Sequence, residues 1–353
     1  VVFIRTTIVQ IETQLPAQEH HIYPQLEFHS KHHNVTMHAA VVNQWGDTPK
    51  YSNFDLPDPT SSQVRIKVVA AGLHTLVRSR AAGKHFSVAN RSPPHIPGTD
   101  GVGALADTGE LVYFNAFAAP TGSFAEEINV ERGDVYPLTN GADPEMVAVL
   151  ANPALSSWMS LTARAAIQPR SNFNVAIVGA TGVSGQAAVQ ISKAMGAKKI
   201  VAIGKPGAKL EKTVQNGATN TIALSQKIEE TDFSEAADVD VVLDYLWGDV
   251  TTAVLPGIVA KRKDKSRQLT WVQIGALAGD GATIPASLLR SANVVMVGSA
   301  PGSYTFKEMR EQMPSMLQTI VDKRLKTEFE IKQLTDVEKW WNETRGPRPV
   351  VKP

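Results

Sequence analysis

The stretch from Asn174 to Lys205, NVAIVGATGVSGQAAVQISKAMGAKKIVAIGK, constrains the fold of this chain more than any other. It opens on a continuous apolar run of the kind required by a strand buried on both faces. Gly179, Gly182 and Gly185 follow. Ala188, Ile191 and Met195 then recur at helical spacing on one stripe. A second apolar strand ends at Ile203-Gly204. Strand, glycine turn, helix and second strand predict a βαβ unit that binds a dinucleotide. The first glycine permits the tight turn, the second lets the backbone approach a pyrophosphate, and the third lets helix and strand pack closely. The helix N-terminus then offers unpaired N–H groups to phosphate. Gly179, Ala180, Thr181, Gly182, Val183, Ser184 and Gly185 are therefore candidate cofactor residues. A turn that merely joins strand to helix is the alternative.

The end of the second strand speaks to which dinucleotide. An NAD site places an acid there for the adenine ribose hydroxyls. Such an acid would repel a 2′-phosphate by up to ~4 kcal/mol at 4 Å and an effective dielectric near 20. This chain has Gly204 instead, with Lys205 and Lys209 nearby. Read as phosphate partners rather than solvated charges, the two lysines predict NADPH.

The flanking sequence supplies the remaining layers. From Met37 to about Leu150 short β segments (VRIKVVAAG, ELVYFNAF, GSFAEEINV) alternate with Gly, Pro and Asn, as in a small irregular barrel. After Ala151 further buried strands (VDVVLDY, LTWVQIG, NVVMVGS) alternate with helical segments. That pattern predicts a doubly wound parallel sheet and an α/β fold class. Residues 1–36, with five of the nine histidines (His20, His21, His29, His32, His33), read as a poorly ordered extension rather than a metal-binding tail.

Composition removes several functions. The net charge of +1 gives no sign of nucleic acid or an acidic membrane surface as a partner. No apolar run in the sequence approaches the ~20 residues that span a bilayer. The chain has no cysteine, which excludes disulfides, thiolate zinc sites and cysteine nucleophiles, and fits a reducing, cytoplasmic location. GATG also opens extended short-chain dehydrogenases. Those begin with the motif, whereas here about 140 β-rich residues precede it, and none of the six tyrosines has the Lys four residues on that such enzymes use.

Taken in order, AAGLHTLVRSRAAG (Ala70 to Gly83), IPGTDGVG, GSFAE, NPALSSWMSL, GATGVSGQAAVQISKAMGA, WVQIGALAG and LLRSANVVMVGS resemble the medium-chain dehydrogenase/reductases, in their zinc-free quinone oxidoreductase branch. The resemblance covers Met37 to Pro353. It implies a GroES-like β-barrel catalytic domain over 37–153 and 306–353, and a Rossmann domain over 154–305. It implies hydride transfer from NADPH to a quinone, enone or related carbonyl compound. NADPH-binding relatives without turnover give the alternative of a regulatory or structural protein. By resemblance Ser156 contacts the nicotinamide region, unless it is a helix N-cap. Gly275, Ala276 and Ser299 hold the carboxamide, and NVVMVGS pairs with its copy in a homodimer.

The departures from the family pattern are as informative. His74 stands where zinc enzymes place a cysteine ligand, and Gly98-Thr99-Asp100 replaces their Gly-His-Glu, so no metal is expected. Without a Lewis acid, hydrogen-bond donors must relieve charge on the acceptor. His74 is the candidate proton donor, since imidazole titrates near neutral pH, with local packing as its alternative role. Leu224 replaces a tyrosine that many relatives aim at the adenosine phosphate. Arg78 and Arg80 read as solvated surface charges rather than contacts to an anionic substrate.

Overall fold

The computed structural model describes residues 34–353, so the reading of residues 1–33, histidines included, lies outside the described residues. The first strand, β1 (Val35–Val41), starts two residues ahead of Met37 and pairs antiparallel with β2 (Lys50–Leu56). The barrel lobe continues through β3 (Gln63–Gly72), helix α1 (Thr75–Ala81), β4 (Asp100–Leu105), β5 (Leu111–Asn115), β6 (Glu127–Glu131) and β7 (Val135–Pro137). β3 is its organising strand, pairing with β4 on one edge and β6 on the other. Its inward side chains Ile66, Val68 and Ala71 meet Val112, Phe114, Phe124 and Ile128 in one buried cluster.

Helix α2 (Pro144–Met159) leaves this lobe, N-capped by Asp143, whose carboxylate accepts from Met146 N at 3.0 Å. With the turn that follows it forms a 21-residue helical run, Pro144–Arg164, long and apolar enough to cross a membrane by composition alone. This corrects the sequence expectation that no such run exists. The polar residues Asn152, Ser156, Ser157 and Ser160 interrupt the apolar string, which masks its length in the sequence. In the fold 72 % of its most apolar window is buried within the protein. Ala148, Leu150, Ala151 and Leu155 pack in one core with Val102 and Tyr113 of the barrel and with residues of the second lobe.

The second lobe runs β8 (Asn174–Val178), α3 (Val183–Met195), β9 (Lys199–Gly204), α4 (Ala208–Asn216), β10 (Asn220–Ala223), β11 (Val241–Asp244), α5 (Gly248–Lys261), β12 (Leu269–Gln273), α6 (Ala286–Ser291) and β13 (Val294–Gly298). All six strands are parallel, in the order β10-β9-β8-β11-β12-β13. The order reverses between β8 and β11, which opens a crevice at their carboxyl ends. β13 forms one edge of the sheet, and Val295 on it is 38 % exposed.

The chain then returns. Helix α7 (Phe306–Asp322) carries a capping box between Thr305 and Glu308 and buries Met309, Met313, Met316 and Leu317 against the α2 core. After it, β14 (Phe329–Gln333), α8 (Val337–Trp340) and β15 (Arg348–Lys352) complete the structure. β15 pairs with β3, so the last residues of the chain extend the barrel sheet. The fold is α/β, a Rossmann-type parallel sheet beside a separate, mainly antiparallel sheet.

Candidate functional site

At the switch point lies a cavity of about 1060 Å³. Its floor is the glycine turn between β8 and α3. A Cβ on Gly185 would stand 2.3 Å from the Gly179 carbonyl oxygen, so the third glycine is required by the packing of α3 on the turn. Gly182 is different. A Cβ there would meet nothing closer than 3.7 Å, and Gly182 lines the cavity, so the space beside it is open to a ligand. The first turn of α3 has backbone N–H groups with no intrahelical acceptor, and Val183 and Ser184 also line the cavity.

The other walls come from the ends of the neighbouring strands. Gly204 and Lys205 follow β9, and Gly275 and Ala276 follow β12. Tyr245 and Leu246 follow β11, on a turn fixed by the wholly buried Asp244. That carboxylate accepts from Leu246 N at 2.9 Å, Trp247 N at 3.0 Å, Trp271 Nε1 at 3.0 Å and the Thr251 hydroxyl. Four donors on one buried acid hold Trp247 at a φ of 57°, a region that L residues seldom occupy.

Of the candidate cofactor residues, Ser156, Gly179, Thr181, Gly182, Val183, Ser184, Gly185, Gly204, Lys205, Gly275 and Ala276 line this one cavity. Ala180 lies beneath it, fully buried, with its N–H on Ile203 O at 3.0 Å. Lys209 does not reach the lining; it is exposed on α4, within electrostatic range of Glu328. Ser299 lies on a second cavity, with its Oγ 2.9 Å from Ser160 Oγ. Ser156 is not a helix N-cap: it sits in the last turn of α2, donating to Pro153 O at 2.7 Å.

The second cavity, about 220 Å³, meets the first at Asn152, Ser156 and Ile274, which line both. Phe117, Tyr304, Phe306 and Met309 give it apolar and aromatic walls. Thr99, Asp100 and Tyr113 give it one polar corner. In that corner Thr99 Oγ1 donates to Asp100 Oδ1 at 3.0 Å, and Tyr113 OH donates to Oδ2 at 3.1 Å. Burial, then Asp100, drives the Tyr113 phenol well above its ordinary range, and burial pushes Tyr304 up to about 12. Both therefore remain neutral at physiological pH.

His74 is 6 % exposed, and its ring lines neither cavity. Its Nε2 lies 3.1 Å from Asp100 Oδ1 and 3.2 Å from Thr99 Oγ1, and its Nδ1 is buried without a partner. His74, Thr99 and Asp100 thus form one hydrogen-bonded cluster. Among the described residues, no group of three or more His, Cys, Asp or Glu is arranged to hold a metal ion.

The two arginines read as surface charges are instead structural. Arg78 donates to the carbonyls of Trp341 and Glu343. Arg80 is 2 % exposed and donates to Phe117 O at 2.8 Å. The sequence reading also passed over Tyr245 and Arg348. Arg348, on β15, lines the large cavity with Nη1 buried and unpartnered; burial lowers its guanidinium to about 10, against the pull of Asp100. The signal was present in RPVV, but only the pairing of β15 with β3 brings that strand to the cavity.

No protein-family model matches the chain. It is 30 % identical over 367 residues to the probable NADPH-dependent quinone reductase tdiC of Emericella nidulans, across 90 % of this chain and all of that protein. It is 29 % identical over 213 residues to the quinone oxidoreductase of Mus musculus, across 55 % of this chain and 61 % of that one. Among solved structures it superposes on the quinone oxidoreductase of Thermus thermophilus, studied also in its complex with NADPH. The TM-score is 0.72, with 22 % identity over 90 % of this chain and 100 % of the other.

Proposed function

Because the chain belongs to the medium-chain dehydrogenase/reductase superfamily, among its quinone oxidoreductase-like members, we propose that it is an NADPH-dependent oxidoreductase acting on a quinone, enone or related electron-poor carbonyl compound without zinc. The observation that carries the reading is the joining of two cavities at Asn152, Ser156 and Ile274. The larger suits a dinucleotide and the smaller a compact acceptor. The residues present fit NADPH: a glycine turn open beside Gly182, an exposed lysine at the end of β9 where an acid would oppose a 2′-phosphate, and the unpartnered Arg348 Nη1. When bound, NADPH supplies the hydride.

The remaining work belongs to the chain. Gly179 to Gly185 cradle the phosphates. Lys205 faces the 2′-phosphate, with Lys209 further out on α4. Gly275, Ala276 and Ser299 orient the nicotinamide carboxamide, and Ser156 marks the seam where acceptor and cofactor meet. The aromatic walls of the smaller cavity exclude water from the reacting centre. His74 is the proton source behind the wall: for the relay, the Thr99 hydroxyl would turn from Asp100 Oδ1 to the acceptor and give up its own proton, while its Oγ1 takes one from His74 Nε2.

The domain division is proposed at 37–153 with 306–353, against 154–305; the membership of β3–β7, β14 and β15 in one sheet and of β8–β13 in another supports it. The homodimer is proposed across β13, a free edge that such proteins usually cover; light scattering at micromolar concentration that gives a monomer mass contradicts it. A cysteine-free, NADPH-using enzyme fits the cytoplasm. The function is tested by following NADPH oxidation with a panel of quinones and enones. Saturable turnover with at least one acceptor is expected, and tight NADPH binding without oxidation by any of them contradicts the enzyme reading.

A further inference from the structure

The barrel lobe holds three basic side chains with no acid set against them. Arg80, on α1, is 2 % exposed; its guanidinium carbon lies 4.9 Å from the centre of the Phe117 ring, and its Nε is buried without a partner. Arg91 spends two donors on backbone, Nη1 on Ala119 O at 2.8 Å and Nη2 on Ala118 O at 3.2 Å. His95 is 5 % exposed, tilted against Trp45 at 5.3 Å, with Nε2 buried and unpartnered. Among the described residues no Asp or Glu forms an ion pair with any of the three. Arg91, Ser92 and His95 line a cavity of about 360 Å³, which Ala118 and Pro120 share. It lies apart from the two cavities of the proposed active site, with which it has no lining residue in common.

A buried guanidinium is normally matched by a carboxylate, because leaving it without a counter-charge is costly. Here only a carbonyl dipole and one aromatic face oppose the buried charge of Arg80, and two carbonyls that of the partly exposed Arg91. The consequence is visible at His95. Burial first, then Arg80 and Arg91, holds its ring down to about 4, and burial with Arg91 lowers Arg80 to about 10. The region is therefore electropositive and unsatisfied. Its free donors are those left on Arg91 and the Ser92 hydroxyl, both on one cavity that the neutral His95 ring also lines. A guanidinium fork beside a hydroxyl matches the geometry of a phosphoryl oxyanion.

We propose that the Arg91–Ser92–His95 cavity binds a phosphoryl oxyanion, either free phosphate or the phosphate of a small monoester. The anion would supply the missing counter-charge for Arg80 and Arg91. It would also act at a distance on the acceptor. The carbonyls that these arginines hold belong to Phe117, Ala118 and Ala119, and Phe117 is a wall of the smaller cavity. Binding of the anion is thus expected to change KM for the acceptor more than kcat; only this kinetic consequence rests on the proposed function.

The test uses the full chain saturated with NADP⁺, so that the cofactor's own phosphate cradle is filled. Inorganic phosphate is titrated at constant ionic strength against chloride, and the His95 ring resonance, assigned with His95→Gln, is followed at pH 7. Saturable movement with a Kd of about 1 mM or tighter is expected. Affinity should fall at least about fivefold in Ser92→Ala, which leaves the loop contacts intact, and further in Arg91→Gln. Glycerol 3-phosphate in place of phosphate separates the sources: binding about tenfold tighter assigns a phosphomonoester, and equal or weaker binding assigns free phosphate. An unmoved His95 signal at 50-fold that concentration (about 50 mM) overturns the proposal. So does equal affinity in the unmutated protein and both variants. Because this readout needs no turnover, it stands or falls separately from the reductase reading.

Discussion

The phenol of Tyr245 donates to Oγ of Ser156, 3.3 Å away. The direction follows from proton counting: the single hydroxyl proton of Ser156 is committed to Pro153 O at 2.7 Å. Burial pushes the Tyr245 phenol up to about 12, so it keeps its proton across the physiological range. The bond ties the β11 turn to helix α2 where the two cavities meet. Tyr245→Phe should therefore reduce kcat/KM by about two- to tenfold, the range for one neutral hydrogen bond. The comparison is steady-state kinetics at saturating NADPH, with thermal unfolding as the control for the fold.

The glycine turn separates two kinds of requirement. Gly185→Ala forces a Cβ into the Gly179 carbonyl at 2.3 Å and Ala180 Cα at 2.6 Å, so both stability and cofactor binding should suffer, the former by about 1–3 kcal/mol. Gly182→Ala meets no protein atom within 3.7 Å and should fold normally, yet bind NADPH at least about tenfold more weakly, a difference of ~1.4 kcal/mol. Fluorescence titration and thermal melts on both variants make the comparison. Unchanged NADPH affinity in Gly182→Ala would remove the pyrophosphate from this turn.

NADPH should bind at least about tenfold more tightly than NADH, within reach of one charge-assisted contact. Lys205→Ala is the clean probe. Lys205 lines the cavity, is exposed, and forms no ion pair among the described residues. Gly204→Asp is less clean, because a Cβ there would stand 2.7 Å from Thr181 Cγ2 and disturb the cradle itself. Equal affinity for the two cofactors in the unmutated protein contradicts the assignment.

Stability should depend on His95 in acid. Its folded pKa of about 4 lies below the unfolded 6.5, so between those values the unfolded chain holds a proton that the folded one does not. Stability contributed by the neutral ring is present above pH 6.5 and lost as pH falls toward 4, by an amount on the order of 3 kcal/mol. Urea unfolding at pH 7 and pH 4.5 should show a smaller acid loss in His95→Gln than in the unmutated protein. An identical loss would mean that His95 is solvated.

Activity should survive dialysis against a chelator, with well under one zinc per chain by elemental analysis. The chain has no cysteine, and among the described residues no three His, Cys, Asp or Glu are grouped to hold a metal. Stoichiometric zinc that tracks with activity contradicts the zinc-free reading.

The sequence conveyed those features whose physical cause is local. An apolar run, a glycine spacing and a helical stripe fall within Asn174–Lys205, and they are enough to place the crevice. Features made by distant residues were hidden. Arg80 reads as a surface charge because nothing near it in sequence says that Phe117, 37 residues on, will accept its hydrogen bond and cover it. Arg348 reaches the cavity only because the chain returns to pair β15 with β3. His74 sits behind Thr99 and Asp100 because α1 begins immediately after it, and that turn directs its ring toward the start of β4. The length of helix α2 escaped notice for a different reason: its serines and Asn152 break an apolar string that the folded helix restores by facing them to the cavities and to carbonyls of the preceding turn.

The central claim is that this chain moves a hydride from NADPH to a small acceptor held in the aromatic cavity. NADPH deuterated at C4 on the transferred face, incubated with a quinone and separately with an enone, addresses it directly. The account predicts oxidation of the cofactor and, for the enone, one deuterium at the β-carbon of the product by mass spectrometry. NADPH that binds tightly but remains reduced, with no labelled product from any acceptor, would contradict it and leave a nucleotide-binding protein without turnover.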